Sequence, residues 1–224
     1  MGRKLTSLTL DNVADLPAPC RSCTLWELGS RPGYLDSDGT AQDGARTKDE
    51  WLSAVLLDWG SCGRLLYVDG SIAGFALYAP PEYAEGAQAA MASPVSDDAV
   101  LLLTARILPG YGGGGLGRVL MQSVVKDLTR RRGVRAVEVF GDAQGHENRC
   151  LVPTGFLTAV GFRTVQAHPR YPRLRLDLRS VLSWRDDVEV AVERWLGAIR
   201  PGRIIPDKGA GPIGVSPREE LSPD

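Results

Sequence analysis

Apolar residues recur along this chain in distinct rhythms. Residues 99–108, AVLLLTARIL, are almost continuously apolar and read as a strand covered on both faces. From Leu116 the spacing changes: Leu116, Leu120, Val124 and Leu128, with Met121 and Val125 beside them, predict an amphipathic helix. Arg130, Arg131 and Arg132 suit the negative end of its dipole, and Gly133 can take a left-handed cap. Upstream, residues 5–13 alternate loosely and predict a first strand that ends at Leu16-Pro17-Ala18-Pro19. Thr47, with Glu50 three residues on, predicts a capped helix presenting Trp51, Val55, Leu56 and Trp59. Residues 64–68 and 72–78 are strands joined by the hairpin signal Asp69-Gly70-Ser71. Downstream, residues 134–140 form a strand with Val137 and Val139 on one face and Glu138 on the other. Pro153 opens a short helix carrying Phe156, Leu157 and Val160 and stopped by Gly161. Residues 162–168 and 173–178 are closing strands, and Ser183 caps a helix with Trp184, Val188, Val192, Trp195 and Ile199 in register. Polar excursions fall at 29–47 and 82–96. One domain over 1–200 and a Pro/Gly-rich, weakly ordered tail over 201–224 complete the expected layout.

What lies between the central strand and its helix carries the chemistry. Pro109, Gly110 and Tyr111 lead into four consecutive glycines, Gly112, Gly113, Gly114 and Gly115, then Leu116 and Gly117. Glycines let successive N–H groups face one concavity, and the helix N-terminus adds positive potential, so the stretch reads as a phosphate cradle. A nucleoside-triphosphate loop would need Lys then Ser or Thr after its last glycine, whereas Arg118 and Val119 follow here. A dinucleotide fingerprint, Gly112-x-Gly114-x-x-Gly117, is formally present with Glu138 as its acidic residue. Pro109-Gly110-Tyr111 opposes it, because the strand should turn tightly into the glycines, and too few strand–helix units remain downstream.

Composition narrows the partners. A formal net charge of −1 over 224 residues gives no reason to expect nucleic acid or an acidic membrane surface. The 26 basic residues include only four lysines, Lys4, Lys48, Lys126 and Lys208, which decides little. No apolar run is long enough to span a bilayer and no signal peptide is evident, so a cytoplasmic protein with thiols rather than disulfides is expected.

The order helix, hairpin, long strand, glycine loop, helix, strand, short helix and closing strands resembles the GNAT family of N-acetyltransferases. The most specific part is Ile107-Leu108-Pro109 followed by Gly112 to Gly117, and 156–162, FLTAVGF, resembles the family's later helix. The resemblance covers about residues 47–178. It implies a mixed α/β (α+β) fold: a central, mostly antiparallel sheet, helices on both faces, and an acetyl-CoA cleft between the two middle strands. It also implies acetyl transfer to a primary amine, with acetyl-CoA as co-substrate and a homodimer as one possible state. The Ile107 backbone would pair with the pantetheine arm, and an N–H near Leu108 would polarise the thioester carbonyl. Gly112, Gly113, Gly114, Gly115, Gly117 and Arg118 would hold the pyrophosphate, through the N–H groups of Gly113, Gly115, Gly117 and Arg118. Two positions depart from the pattern. Gly112 stands where the family has Arg or Gln, and Leu157 stands where it often has a tyrosine acid. The second departure keeps open a non-catalytic acyl-CoA-binding module.

For the base, Glu138 ranks first, because a carboxylate on an interior strand needs a partner or a purpose. A cross-strand pair with Arg106 or Arg135 is its alternative reading. Asp142, His146, Glu147, Tyr78, Glu82 and Tyr83 are further candidates, and residues 168–172 lie where an acceptor pocket could be bordered. Cys20-x-x-Cys23 has zinc-like spacing but no second pair, so it reads as free thiols and no metal is expected.

Overall fold

The computed structural model describes residues 2–29, 44–88, 93–145 and 151–181. The helix expected from Ser183, the tail, His146 and Glu147 lie outside them. In chain order the elements are β1 (Arg3–Ser7), α1 (Ala18–Arg21), α2 (Leu25–Leu28), α3 (Gly44–Asp58), β2 (Gly63–Val68), β3 (Ser71–Ala79), α4 (Glu85–Gln88) and β4 (Ala99–Ile107). Then come α5 (Leu116–Leu128), β5 (Ala136–Asp142), β6 (Val152–Pro153), α6 (Thr154–Ala159), β7 (Arg163–Gln166) and β8 (Arg173–Asp177). The strands form one sheet in the order β1-β2-β3-β4-β5-β8-β7, with β6 beside the end of β5. Pairing is antiparallel except between β4 and β5 and between β5 and β6.

Side-chain alternation divides the interior into two cores. Val100, Leu102 and Ala105 of β4, with Val137 and Val139 of β5, face α5, whose six predicted apolar positions are all buried among them. Each such side chain contributes about 1.5–3 kcal/mol gross. Leu101, Leu103 and Phe140 face the other way, toward Trp51, Leu52 and Val55 of α3. Helices therefore cover both faces, as the resemblance implied.

Several boundaries differ from the sequence reading. The first strand ends at Ser7, because the chain then turns, with a 3-10 segment at Val13–Asp15, and Leu8, Val13 and Leu16 fill the α3-side core. Thr47 is not a cap: α3 already includes Gly44, so Thr47 sits inside the helix. Arg130, Arg131 and Arg132 lie beyond α5, which ends at Leu128, and Gly133 is left-handed (φ 83°) in the turn that follows. Arg131 instead covers the Trp59 ring at 3.8 Å. The hairpin turn forms as expected, with Asp69 (φ 48°) and Gly70 (φ 83°) both left-handed.

Two fastenings position the elements around the later site. The buried Tyr78 hydroxyl donates to Asp127 of α5 at 2.8 Å, and Arg64 of β2 pairs with the same carboxylate at 2.9 Å. On the opposite face α4 meets α2 backbone to backbone. A Cβ at Gly86 would stand 2.1 Å from the Leu25 carbonyl oxygen and 2.4 Å from the Gly29 nitrogen. Gly86→Ala is therefore expected to cost about 2–3 kcal/mol, because main chain cannot move aside as a side chain does. A drop in urea midpoint at unchanged m-value checks this. Among the described residues no helix is long and apolar enough to cross a membrane.

Candidate active site

The two middle strands share only a short seam. β4 and β5 pair through Ala99–Ala136, Val100–Val137 and Leu101–Glu138, after which β4 continues to Ile107 along β3 and no longer pairs with β5. The main-chain groups that face this splay follow from register. Leu108 N–H donates to the Ala73 carbonyl at 2.8 Å, so the Leu108–Ala73, Arg106–Phe75 and Thr104–Leu77 pairs exchange hydrogen bonds within the hairpin side. Ala105 and Ile107 alternate with them and direct their N–H and C=O groups into the splay. The Leu108 N–H itself is engaged by Ala73, and the nearest N–H groups that face the splay are those of Ile107 and Ala105.

The register also slips within this hairpin: Leu77 pairs with Thr104, but Tyr78 pairs with Leu102. Leu103 is the extra residue, so Leu103 and Thr104 both face the α3 side, as at a β-bulge.

At the open end of β4 the glycine loop enters α5. Gly113 (φ 82°) and Gly115 (φ 71°) are left-handed, and Gly115 is the N-cap residue. A Cβ at Gly112, Gly113, Gly114 or Gly115 would meet no protein atom within 4 Å, so packing does not require these glycines. The N–H groups of Gly112 through Gly117 find no acceptor among the described residues. Arg118 differs from its sequence reading: its main-chain N–H donates to the Gly115 carbonyl at 3.1 Å in the first helical turn. Its exposed side chain is what it brings to the loop. Gly117 has a separate reason, since a Cβ there would stand 2.5 Å from Phe156 Cε2 of α6. An exposed loop with two forced left-handed glycines, open space and unpaired N–H groups at a 13-residue helix fits a diphosphate.

The candidate bases fare differently. Glu138 is fully buried and its two oxygens accept from Ser96 N–H (3.1 Å) and Oγ (2.6 Å), Arg173 (2.5 Å) and Arg175 (3.2 Å). Burial pushes its pKa up, but the Ser96 and Arg173 hydrogen bonds outweigh that and hold it below the usual carboxylate range. Each of its oxygens already accepts two hydrogen bonds, so it serves as an anchor between strands with no oxygen turned to an incoming proton, and its partners are neither Arg106 nor Arg135. Asp142 accepts the N–H groups of Gln144 and Gly145 and so shapes a turn. Tyr78 is bonded to Asp127, Tyr83 to Asp58, and Glu82 is exposed. His168 Nδ1 accepts the N–H groups of Arg170 and Tyr171, in a loop whose Arg170 and Pro172 carbonyls accept from Ala143 and Gly141 at the end of β5. Leu157, which the resemblance aligns with a tyrosine, is fully buried beside Gly141.

Four residues that the sequence reading did not select meet on the α3 side of the splay: Trp26, Glu27, Lys48 and Thr104 line one cavity with Cys20, Cys23, Leu77 and Leu103. A four-residue helix such as α2 has no periodic signature, and Glu27 and Lys48 are 21 positions apart. Cys20, Cys23 and Cys62 are buried and not joined in disulfides, and burial pushes the Cys62 pKa up to about 12. Among the described residues no group of three His, Cys, Asp or Glu side chains is placed to hold a metal ion.

No protein-family model matches the chain, and no curated protein matches it in sequence. Solved structures do match its fold. The PaiA N-acetyltransferase of Thermoplasma acidophilum, in complex with coenzyme A, superposes with a TM-score of 0.51 at 11% identity, over 79% of this chain and 99% of that one. YncA of Salmonella typhimurium, with its cofactor acetyl-CoA, gives 0.50 at 15% identity over 80% and 95%. The loading GNATL domain of CurA from Lyngbya majuscula gives 0.50 at 15% identity over 80% and 100%. The chain has the GNAT fold.

Proposed function

We propose that this protein is an acetyl-CoA-dependent N-acetyltransferase that acts on a primary amine. The observation that carries the reading is the row of unpaired N–H groups from Gly112 to Gly117, opening at the start of α5 beside the splayed edge of β4. In this reading Gly113, Gly115 and Gly117, with Gly112 and Gly114 keeping the space clear, hold the diphosphate of acetyl-CoA. The exposed Arg118 guanidinium adds positive charge at its rim. The pantetheine arm lies along the splay, where Ile107 offers its N–H and C=O as one more strand would. Ala105 N–H, one step deeper on the same side, then points at the thioester carbonyl and favours the charge that grows on its oxygen during transfer. Because a thiolate is a tolerable leaving group, Leu157 in place of a tyrosine does not forbid the reaction.

Leu157 does favour a second reading, a module that binds acyl-CoA without turning it over. One experiment separates the two. Acetyl-CoA is titrated calorimetrically, then incubated with the protein and spermidine, tyramine, L-lysine or glycinamide while free thiol is followed. The enzyme reading expects binding together with amine-dependent thiol release. Binding without release from any amine supports the module, and absence of binding removes both.

A further inference from the structure

On the face of the sheet opposite α5, the β4–β5 splay is roofed by α2. Trp26 stacks on Phe140 of β5 with ring centres 5.6 Å apart, and with Leu103 and Thr104 of β4 it lines a half-open cavity of about 20 Å³. That is room for one water-sized group. Two ionised groups in its wall are paired with each other: Lys48 Nζ donates to Glu27 Oε1, and each side chain is only 3% exposed. The Thr104 hydroxyl faces the same space, at 8% exposure, with no hydrogen-bond partner among the described residues.

Packing does not account for this arrangement. The Thr104 hydroxyl makes no contact that packing needs, and a buried ion pair can often be exchanged for apolar residues without loss of stability. A water, by contrast, needs two to four polar partners, and these three groups supply them. The bulge at Leu103 is what turns Thr104 toward the cavity while the neighbouring Ala105 directs its N–H into the splay.

Resting on the acetyltransferase reading, we propose that Thr104, Glu27 and Lys48 form the acceptor-side proton relay. One water in the cavity bonds to Thr104 Oγ1 and to the Glu27 carboxylate and reaches the amine arriving at the splay. The acceptor's ammonium gives a proton through that water to Glu27. The freed lone pair forms the C–N bond at the acetyl carbon, the C–S bond breaks with its electron pair on sulfur, and a second nitrogen proton converts the thiolate to coenzyme A. Glu27 then returns its proton to solvent, so one proton is released per acetyl group moved. Lys48 is a positioning residue: its bond to Oε1 holds the carboxylate aimed at the cavity.

Thr104→Val tests the relay without threatening the fold, because it removes a hydroxyl that nothing bonds. A packing role alone predicts equal or greater thermal stability and unchanged turnover. The relay predicts that kcat for thiol release, with the fastest amine of the panel above, falls about tenfold or more while KM for acetyl-CoA stays unchanged. Thr104→Ser should recover most of the rate. The double variant Glu27→Gln/Lys48→Met, which leaves neither charge buried alone, should lose turnover as Thr104→Val does while still binding acetyl-CoA in the calorimeter. A Thr104→Val kcat within twofold of the unmodified protein overturns the proposal, as does failure of Thr104→Ser to recover it. If the unmodified protein binds acetyl-CoA but acetylates no amine, the relay falls and the cofactor site stands. If it does not bind acetyl-CoA, both fall.

Discussion

Gly115→Val is expected to weaken acetyl-CoA binding at least about a hundredfold, or about 2.8 kcal/mol, while the protein stays folded. Gly115 is left-handed (φ 71°, ψ 5°) where the loop becomes α5. A β-branched side chain there costs about 1–2 kcal/mol of local strain, which the chain relieves by rotating the loop out of its present path. Rotation re-aims the N–H groups of Gly113 through Gly117, and hydrogen bonds to a charged group are individually worth about 1.5–3 kcal/mol. Two of them misdirected suffice for the effect. Gly112→Arg is expected to move the other way. Gly112 is not left-handed and a Cβ there meets nothing within 4 Å, so the substitution is not strained. A guanidinium beside the diphosphate should tighten binding about tenfold. Calorimetry on both variants, with thermal melts as the folding control, reads the pair. Unchanged affinity in Gly115→Val would remove the glycine loop from the cofactor site.

The second large effect concerns stability. Glu138→Gln should destabilise the protein by about 3 kcal/mol, because the buried carboxylate compensates two arginines. Arg173 and Arg175 keep 13% and 20% of their side chains exposed, which holds the loss below that of a fully enclosed pair. The same group dictates an acid sensitivity. Its folded pKa lies below the ordinary 4.5, so its contribution is complete above that value and is lost as pH falls through the folded value. Asp98, held low by its hydrogen bonds from Arg175, weakens over the same acid range. Subtracting Glu138→Gln urea midpoints from those of the unmodified protein across pH 3–7 isolates Glu138. The gap should be constant above pH 5 and close below it.

The local unit around the glycines was legible because its signals are local. A continuous apolar run, a glycine quartet and a period of three to four residues each fall within a dozen positions, and α5 begins at Leu116 as its spacing predicts. The hairpin turn is equally local, being set by Asp69 and Gly70. What escaped depends on residues distant in sequence. Glu138 invites a nearby partner such as Arg135, yet β8 inserts beside β5 and brings Arg175 directly opposite it. The Leu108 N–H is lost to Ala73 through hairpin register, which no residue type announces. The cavity is less legible still: α2, α3 and β4 each supply one polar group, and only the folded sheet makes them neighbours. Thr47 failed for a simpler reason, since a capping pattern inside a helix looks the same as one at its start.

The brevity of the seam between β4 and β5 has a mechanical meaning. Among the described residues, three ladder pairs and the Asp98 carbonyl beside them stitch the main chain of the leaf β1-β2-β3-β4 to the leaf β5-β8-β7. Any guest that lies along the rest of that border and bonds to Ala105 or Ile107 prolongs the stitching. Such a guest is therefore expected to stiffen the two leaves against each other as it binds.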